Sequence, residues 1–263
     1  MEIITSRANR LIVETAKLQD RKHRQREKLF FFEGKKLLEE AIQKNLPLVR
    51  VFATEENAAL LQSLPAGVEC YTVSRSVYEK ISAENSPEGV FCVARHLDRL
   101  HKFATIYNMT EKGSRFMAVS VRDPGNLGTI IRSARAMGID CLILSADCAD
   151  LYHPRTIRGA MGALFSLPTL TVSDAVGSVS ALQEAGYDVC ATALTPNACD
   201  LRSVKITPDT CFIVGNEGHG LPESVVASAN RAVIIPMQQG SESLNVAAAS
   251  SLLLWEMGKV VLP

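Results

Sequence analysis

The sequence predicts an α/β protein of two domains, the second built on a parallel sheet covered by helices on both faces. Three observations lead there. Short apolar runs alternate with helical stretches along the whole chain. In the second half the runs DCLILS, CFIVG and AVIIP are apolar almost without interruption, which marks strands buried on both faces. At 263 residues the chain can hold two cores of ordinary size.

The elements follow in order. Residues 5–19 (TSRANRLIVETAKLQ) set Leu11, Ile12, Thr15, Ala16 and Leu18 at helical spacing. KLQDRKHRQREK then carries six Lys/Arg in twelve residues. It is either a solvated helix face or a phosphate-backbone contact; the one-signed charge and the aromatic run LFFFEG behind it favour the contact. Next come LFFFEG as strand, KKLLEEAIQK as helix, LVRVFA as strand and ENAALLQSL as helix. VECYTV as strand, SRSVYEKIS as helix and GVFCVAR as strand complete a first domain over 1–97. Residues 98–113 are weakly periodic and are expected to be a linker, leaving 114–263 as the second domain. There FMAVSV, DCLILS, YDVCATAL, CFIVG and AVIIP are expected strands. LGTIIRSARAM, HPRTIRGAMG and PESVVASAN are expected helices.

The last thirty residues are the most distinctive. Pro236 ends a strand, because it cannot donate to a ladder. Gly240 in QQGSES suits a turn with unusual backbone angles, and Ser243 or Asn245 stands where a helix wants a cap. The helix beyond begins with small residues, Ala247 to Ser251, and is then apolar on nearly every side through Leu252, Leu253, Leu254, Trp255 and Met257. Such a helix is expected to be buried, in a large core or against a second subunit.

The formal charge is zero but uneven: residues 1–36 hold ten Lys/Arg against five acids, so the remainder is acidic. A basic arm on an acidic body points to a polyanionic partner. No run approaches a membrane span, and the start of the chain resembles neither secretory nor transit peptide, so a cytoplasmic protein is expected. The seven cysteines form no C-x-x-C pair and mostly sit in apolar runs, which suggests buried reduced thiols, with no metal expected.

In parallel sheets ligands bind beyond the carboxyl ends of strands. Three polar loops are expected at that edge: RDPGNLG (122–128), GNEGHG (215–220) and MQQGSES (237–243). GNEGHG is not G-x-G-x-x-G and lacks the Lys-Ser/Thr of a P-loop, which counts against an ordinary dinucleotide-binding sheet.

VRDPGNLGTIIRSARAMGID, FIVGNEGHGL and VIIPMQQGSESLNVAAAS, in this order, closely resemble the three motifs of the SpoU (TrmH-like) RNA ribose 2′-O-methyltransferases. HPRTIRGAMGALFSLP resembles the stretch between the first and second motifs. SRANRLI to EEAI, with SPEGVFCVA, resembles the family's ribosomal-protein-like RNA-binding domain. The resemblance implies a parallel sheet whose C-terminal segment threads a trefoil knot, binding of S-adenosylmethionine in the knot, and a homodimer through this region. It also implies RNA as partner, with 23S ribosomal RNA favoured over transfer RNA because dedicated tRNA members tend to lack the first domain. Two positions depart from the pattern: Gln239 precedes Gly240 where the family has glycine one place earlier, and Ala160 stands where serine is common.

By the same resemblance, Gly215, Ile235, Met237 and Leu244 would hold the cofactor, and Asn126, Arg132, Glu217, Ser243 and Asn245 would form the catalytic shell. Arg132 suits a clamp on phosphate or hydroxyl better than a base, since guanidinium resists deprotonation. Glu217 would either take the hydroxyl proton or structure its glycine turn. Arg21, Lys22, Arg24, Arg26 and Lys28 are the expected RNA contacts. A non-catalytic RNA-binding paralogue is the rival reading; the presence of all five catalytic-shell residues argues against it.

Overall fold

The computed structural model describes residues 3–97, 113–216, 218–238, 240 and 243–262. The chain divides into two units, one of Met1–Leu97 with Tyr152–Phe165, the other of Asp98–Leu151 with Ser166–Pro263. Except for Gly113, the expected linker lies outside the described residues. Nothing in the sequence announced that Tyr152–Phe165 goes with the first unit.

In the first unit, β1 (Ile3–Ile4), β2 (Leu29–Glu33), β3 (Leu48–Thr54), β4 (Glu69–Val73) and β5 (Val90–Arg95) form a sheet in the order β1-β4-β3-β5-β2. β1, β4 and β3 run parallel, while β5 is antiparallel to β3 and β2. The helices are α1 (Arg10–Ala16), α2 (Arg21–Glu27), α3 (Lys35–Gln43) and α4 (Arg75–Ile81). Residues 55–63, read as helical, form a 3-10 stretch. Ile12 of α1 and Val77, Tyr78 and Ile81 of α4 share one core with Phe31, Phe52 and Phe91. Side chains alternate faces along a strand. Phe31 accordingly stacks on Phe91, ring centroids 4.8 Å apart, while Phe30 and Phe32 turn to the other face. There they lie 4.7 Å from Tyr152 and 5.1 Å from Phe165.

The basic stretch is helical. Asp20 caps α2 by accepting from the His23 amide at 2.9 Å, and Lys28, at φ 54°, ends it in the left-handed conformation. Arg21, Lys22, Arg26 and Lys28 are exposed. Arg24 departs from its expected role. It is 1% exposed, and its Nη1 donates to the carbonyls of Leu18 (2.7 Å) and Gln19 (2.9 Å). That guanidinium binds the end of the preceding 3-10 turn and is not offered at the surface.

In the second unit the described strands are β6 (Arg115–Ala118), β7 (Cys141–Ser145), β8 (Thr169–Val172), β9 (Asp188–Thr192), β10 (Cys199–Asp200), β11 (Thr210–Val214) and β12 (Arg231–Ile234). They make one sheet in the order β10-β12-β9-β11-β6-β7-β8, with every pair parallel. β6, β7 and β11 are buried along their whole length, which is why those runs lack polar alternation. From β6 the chain steps outward to β7 and β8, then crosses to build β9, β11 and β12 on the other side. Strand order thus reverses between β6 and β11, the place where such sheets open a crevice.

The helices of this unit are α5 (Pro124–Ala136), α7 (Ala175–Glu184), α8 (Glu223–Ser228) and α9 (Val246–Val261); α6 (Pro154–Ala160) belongs with the first unit. α7 and α8 contribute Val179, Leu182 and Val225 to a core with Met117, Ile143 and Ile213. α9 packs along α5, with the hydroxyls of Ser133 and Ser251 3.0 Å apart. The C-terminal helix is not buried on all sides within one chain. Leu253, Leu254 and Met257 are buried, but Leu252 is 46% and Trp255 56% exposed.

Candidate active site

Four connections meet at the carboxyl edge of the parallel sheet, those after β6, β9, β11 and β12. The last three enclose a cavity of about 740 Å³. Its walls are Thr192–Thr195, Val214–Asn216 and Gly218–Leu221, Val233–Ile235 with Met237, and Val246 and Ala249 at the start of α9. Gly215, Ile235, Met237, Leu244 and Ser243, all named from sequence, line it together.

Each loop is shaped by its own residues. A Cβ on Gly215 would stand 2.3 Å from the Gly220 carbonyl carbon, so only glycine lets this loop fold back on itself. Asn216 and Gly220 then pair backbone to backbone, at 2.9 and 3.0 Å. The Asn216 side-chain oxygen accepts from the amides of Gly218 (2.9 Å) and His219 (3.1 Å), closing the turn. Gly240 sits at φ 91°, the conformation expected of it.

The first and third sequence motifs are joined by two asparagines. Asn245 caps α9: its Oδ1 accepts from Ala247 (2.9 Å) and Ala248 (3.2 Å). Its Nδ2 is thereby aimed away from the helix and donates to Asn126 Oδ1 at 3.0 Å. Asn126 is fixed in turn, because Asp123 caps α5 by accepting its amide at 2.8 Å, with Pro124 at the first helical position. Arg132 lies further along the same helix. Six residues further along α5 carry it roughly 9 Å along the axis and about 240° around it, and it is exposed there. Glu217, the proposed proton acceptor, and Gln239 lie outside the described residues.

The sequence reading missed two parts of the site. Thr192–Thr195 line the cavity, and the signal was available, since TALTP follows a buried strand at the same edge. Asn216 was passed over inside GNEGHG, although a side-chain amide in a glycine-dense turn is a ready backbone anchor. Among the described residues no cysteine lines the cavity. Burial pushes Cys190 up to about 12 and Cys141 up to about 11, so neither offers a thiolate near neutral pH.

The sequence pattern of the SpoU rRNA Methylase family matches residues 113–255, more than half of the chain. The chain belongs to this family. An MRM3-like substrate binding domain matches residues 9–92. Over 257 residues the chain is 29% identical to the 23S rRNA (guanosine(2553)-2′-O)-methyltransferase RlmP of Bacillus subtilis, covering 98% of this chain and 99% of that one. It resembles the AdoMet-bound rRNA methyltransferase of Sinorhizobium meliloti with a TM-score of 0.84 at 26% identity, over 100% and 99% of the two chains. The SpoU methyltransferase AviRb of Streptomyces viridochromogenes, in complex with AdoMet, gives a TM-score of 0.83 at 26% identity, over 95% and 97%.

The family's cofactor is S-adenosylmethionine, and the residues present fit it. The cavity walls are mainly apolar, from Val214, Leu221, Val226, Ile235 and Met237, as a flat adenine ring requires. Hydroxyls of Thr195 and Ser243 and the polar backbone of three loops supply hydrogen-bonding groups at its edge.

Proposed function

We propose that this protein is an S-adenosylmethionine-dependent methyltransferase acting on a ribose 2′-hydroxyl of 23S ribosomal RNA. The observation that carries the reading is the cavity beside the sheet's reversal point, with Asn245 reaching from its edge to Asn126. When bound, S-adenosylmethionine supplies an electrophilic methyl on a positively charged sulfur. The chain must then position the hydroxyl and accept its proton; alignment alone contributes about 7–11 kcal/mol in favourable cases. Gly215, Ile235, Met237 and Leu244 hold the cofactor. Asn245 and Asn126, locked to each other, orient the loops over the reacting ribose. Arg132 clamps the nucleotide through its planar fork, Ser243 contributes a hydroxyl at the cavity edge, and Glu217 takes the proton from the 2′-oxygen.

The division of labour follows the sequence reading, with one change: residues 1–97, joined in their unit by Tyr152–Phe165, bind RNA, 98–113 link, and the rest of 114–263 catalyses. Arg21, Lys22, Arg26 and Lys28, exposed on and after α2, contact phosphates. The C-terminal segment threads a trefoil knot; small residues at the start of α9 permit close passage, an exception to the rule against knotted chains. The protein is a homodimer in the cytoplasm, with α9 at the twofold contact. Ala248, Leu252, Trp255 and Lys259 lie on one exposed helix face, at a spacing that a second copy can cover. Among the described residues no helix is long and apolar enough to cross a membrane.

The test is 2′-O-methyl mapping of ribosomal RNA with and without the protein, beside calorimetry with S-adenosylmethionine. One ribose position in 23S RNA should lose its methyl when the protein is absent. An unchanged 23S map would overturn the assignment, and a change confined to transfer RNA would transfer it to the other substrate.

A further inference from the structure

Ser120, two residues beyond β6, has φ 55°. A side chain is uncommon in this left-handed region, where glycine is free, so another interaction must hold it. Three do. The Ser120 amide donates to Ser145 Oγ at 2.8 Å, and its hydroxyl donates to Asp147 Oδ2. Its carbonyl accepts from Asn216 Nδ2 at 2.9 Å. Ser145 in turn donates its own hydroxyl to Asp147 Oδ1 at 2.5 Å.

The direction of these bonds is set by one group. An ionised carboxylate only accepts, and a hydroxyl has one proton. Asp147 takes the protons of both serines, which leaves Ser145 Oγ free to accept the Ser120 amide. Burial raises the Asp147 carboxyl, but the hydrogen bonds from Ser120 and Ser145 outweigh it and leave it below the ordinary range. Ser120 is then followed directly by Val121–Asp123 and the Asn126 end of α5, while Asn216 shapes the glycine loop of the cavity. Neither Ser120 nor Asp147 lines that cavity.

We propose that Asp147 and Ser120 are positioning residues. Through Asn216 they fix the glycine loop that receives S-adenosylmethionine, and through the chain after Ser120 they tie that loop to the segment bearing Asn126. The inference rests on the cofactor reading above. It assigns a role in the family's reaction to a serine and an aspartate that do not line the cavity.

The test uses the full chain with Ser120→Gly, Asp147→Ala, Asp147→Asn and the double variant Ser120→Gly/Asp147→Ala. Glycine keeps the left-handed backbone and its amide and carbonyl bonds while removing the hydroxyl's bond to Asp147, so Ser120→Gly separates conformation from the Asp147 tether. S-adenosylmethionine affinity is read by calorimetry and thermal stability by scanning. Ser120→Gly and Asp147→Ala should each weaken cofactor binding by about tenfold, the order expected for a lost charge-assisted hydrogen bond. Their Tm should move by no more than about 4 °C, a stability change of roughly 1 kcal/mol or less for a chain this size. Asp147→Asn should recover part of the loss, because its one oxygen still accepts from one serine. The double variant should bind no worse than the weaker single, since both changes cut one tether. Unchanged affinity in Ser120→Gly, multiplying losses in the double variant, or a fall in Tm matching the loss of affinity would each overturn the proposal. If the unaltered protein does not bind S-adenosylmethionine at all, the cofactor reading fails first, and that result is visible before any variant is made.

Discussion

Arg24 and Arg26 stand two places apart on α2 and face different environments. Arg26 is exposed, beside Glu27 Oε1 at 2.8 Å and His23 Nδ1 at 2.9 Å; Arg24 is buried under two backbone carbonyls. Arg24→Ala should therefore cost about 2–3 kcal/mol in chemical denaturation, because charged hydrogen bonds are lost and buried carbonyls stripped. Replacing Arg21, Lys22 and Arg26 together with Glu should leave stability within about 1 kcal/mol, yet weaken RNA binding and flatten its salt dependence. Equal effects of the two sets on RNA affinity, with stability untouched, would reject the distinction. These arginines are indistinguishable in sequence, since charge density is legible but the direction of one side chain depends on the 3-10 turn before it. Glu33 carries a second residue-scale consequence. Burial raises its carboxyl, against hydrogen bonds from Ser82, the Ala83 amide and Tyr78. The folded state therefore holds that proton more tightly than the unfolded state. Its contribution is fully present below about pH 4.3, the ordinary glutamate value, and is lost as pH rises through the raised folded value. Denaturant stability measured across this window should show a downward slope that Glu33→Gln removes.

At the scale of elements, strong strands were the most readable. CLILS and TCFIV became fully buried β7 and β11, because two-sided burial selects unbroken apolar runs. β8 and α7 went unread. TLTV is short and half-buried, and AVGSVSALQE dilutes its helical period with Gly177 and two serines. α9 was legible as a helix but not in its facing. Apolar on nearly every side, it hid the fact that Leu253 belongs to its own chain's core while Trp255 stays exposed. Leu253→Ala should cost about 2–5 kcal/mol of stability, as large-to-small changes in packed cores do. Trp255→Glu should preserve the fold and shift sedimentation from dimer to monomer. A dimer that survives Trp255→Glu at micromolar concentration would remove α9 from the proposed contact.

For the whole molecule, the proposed division between holding cofactor and engaging RNA can be tested through one side chain. Arg132 stands away from the cavity lining, exposed on α5. If it clamps the reacting nucleotide, its interaction strengthens at the transition state and adds little to cofactor binding. Arg132→Ala should then lower turnover by about two to four orders of magnitude, roughly 3–5 kcal/mol of barrier. S-adenosylmethionine affinity should change by less than about tenfold. Arg132→Lys should rescue weakly, because an ammonium lacks the planar fork. Parallel loss of cofactor binding and turnover, read by calorimetry and methyl transfer, would show that the role was misassigned. The two-domain plan and the loops at the sheet edge were readable because alternation and glycine-rich turns are local signals. The Asn245–Asn126 bridge was not, because it joins residues 119 positions apart.

The first unit borrows Tyr152–Phe165 from far along the chain, and this affects how the protein is made. Until Phe165 has been added, Phe30 and Phe32 lack the aromatic rings that cover their face of the sheet. At about 5–20 residues per second, translation from Asp98 to Phe165 occupies roughly 3–14 s. Hydrophobic collapse is faster by several orders of magnitude, at about 10–100 μs for a chain of this order. On the ribosome the amino-terminal unit therefore waits with an open aromatic face, and the Asp98–Leu151 part of the second unit is already synthesised before the first can close.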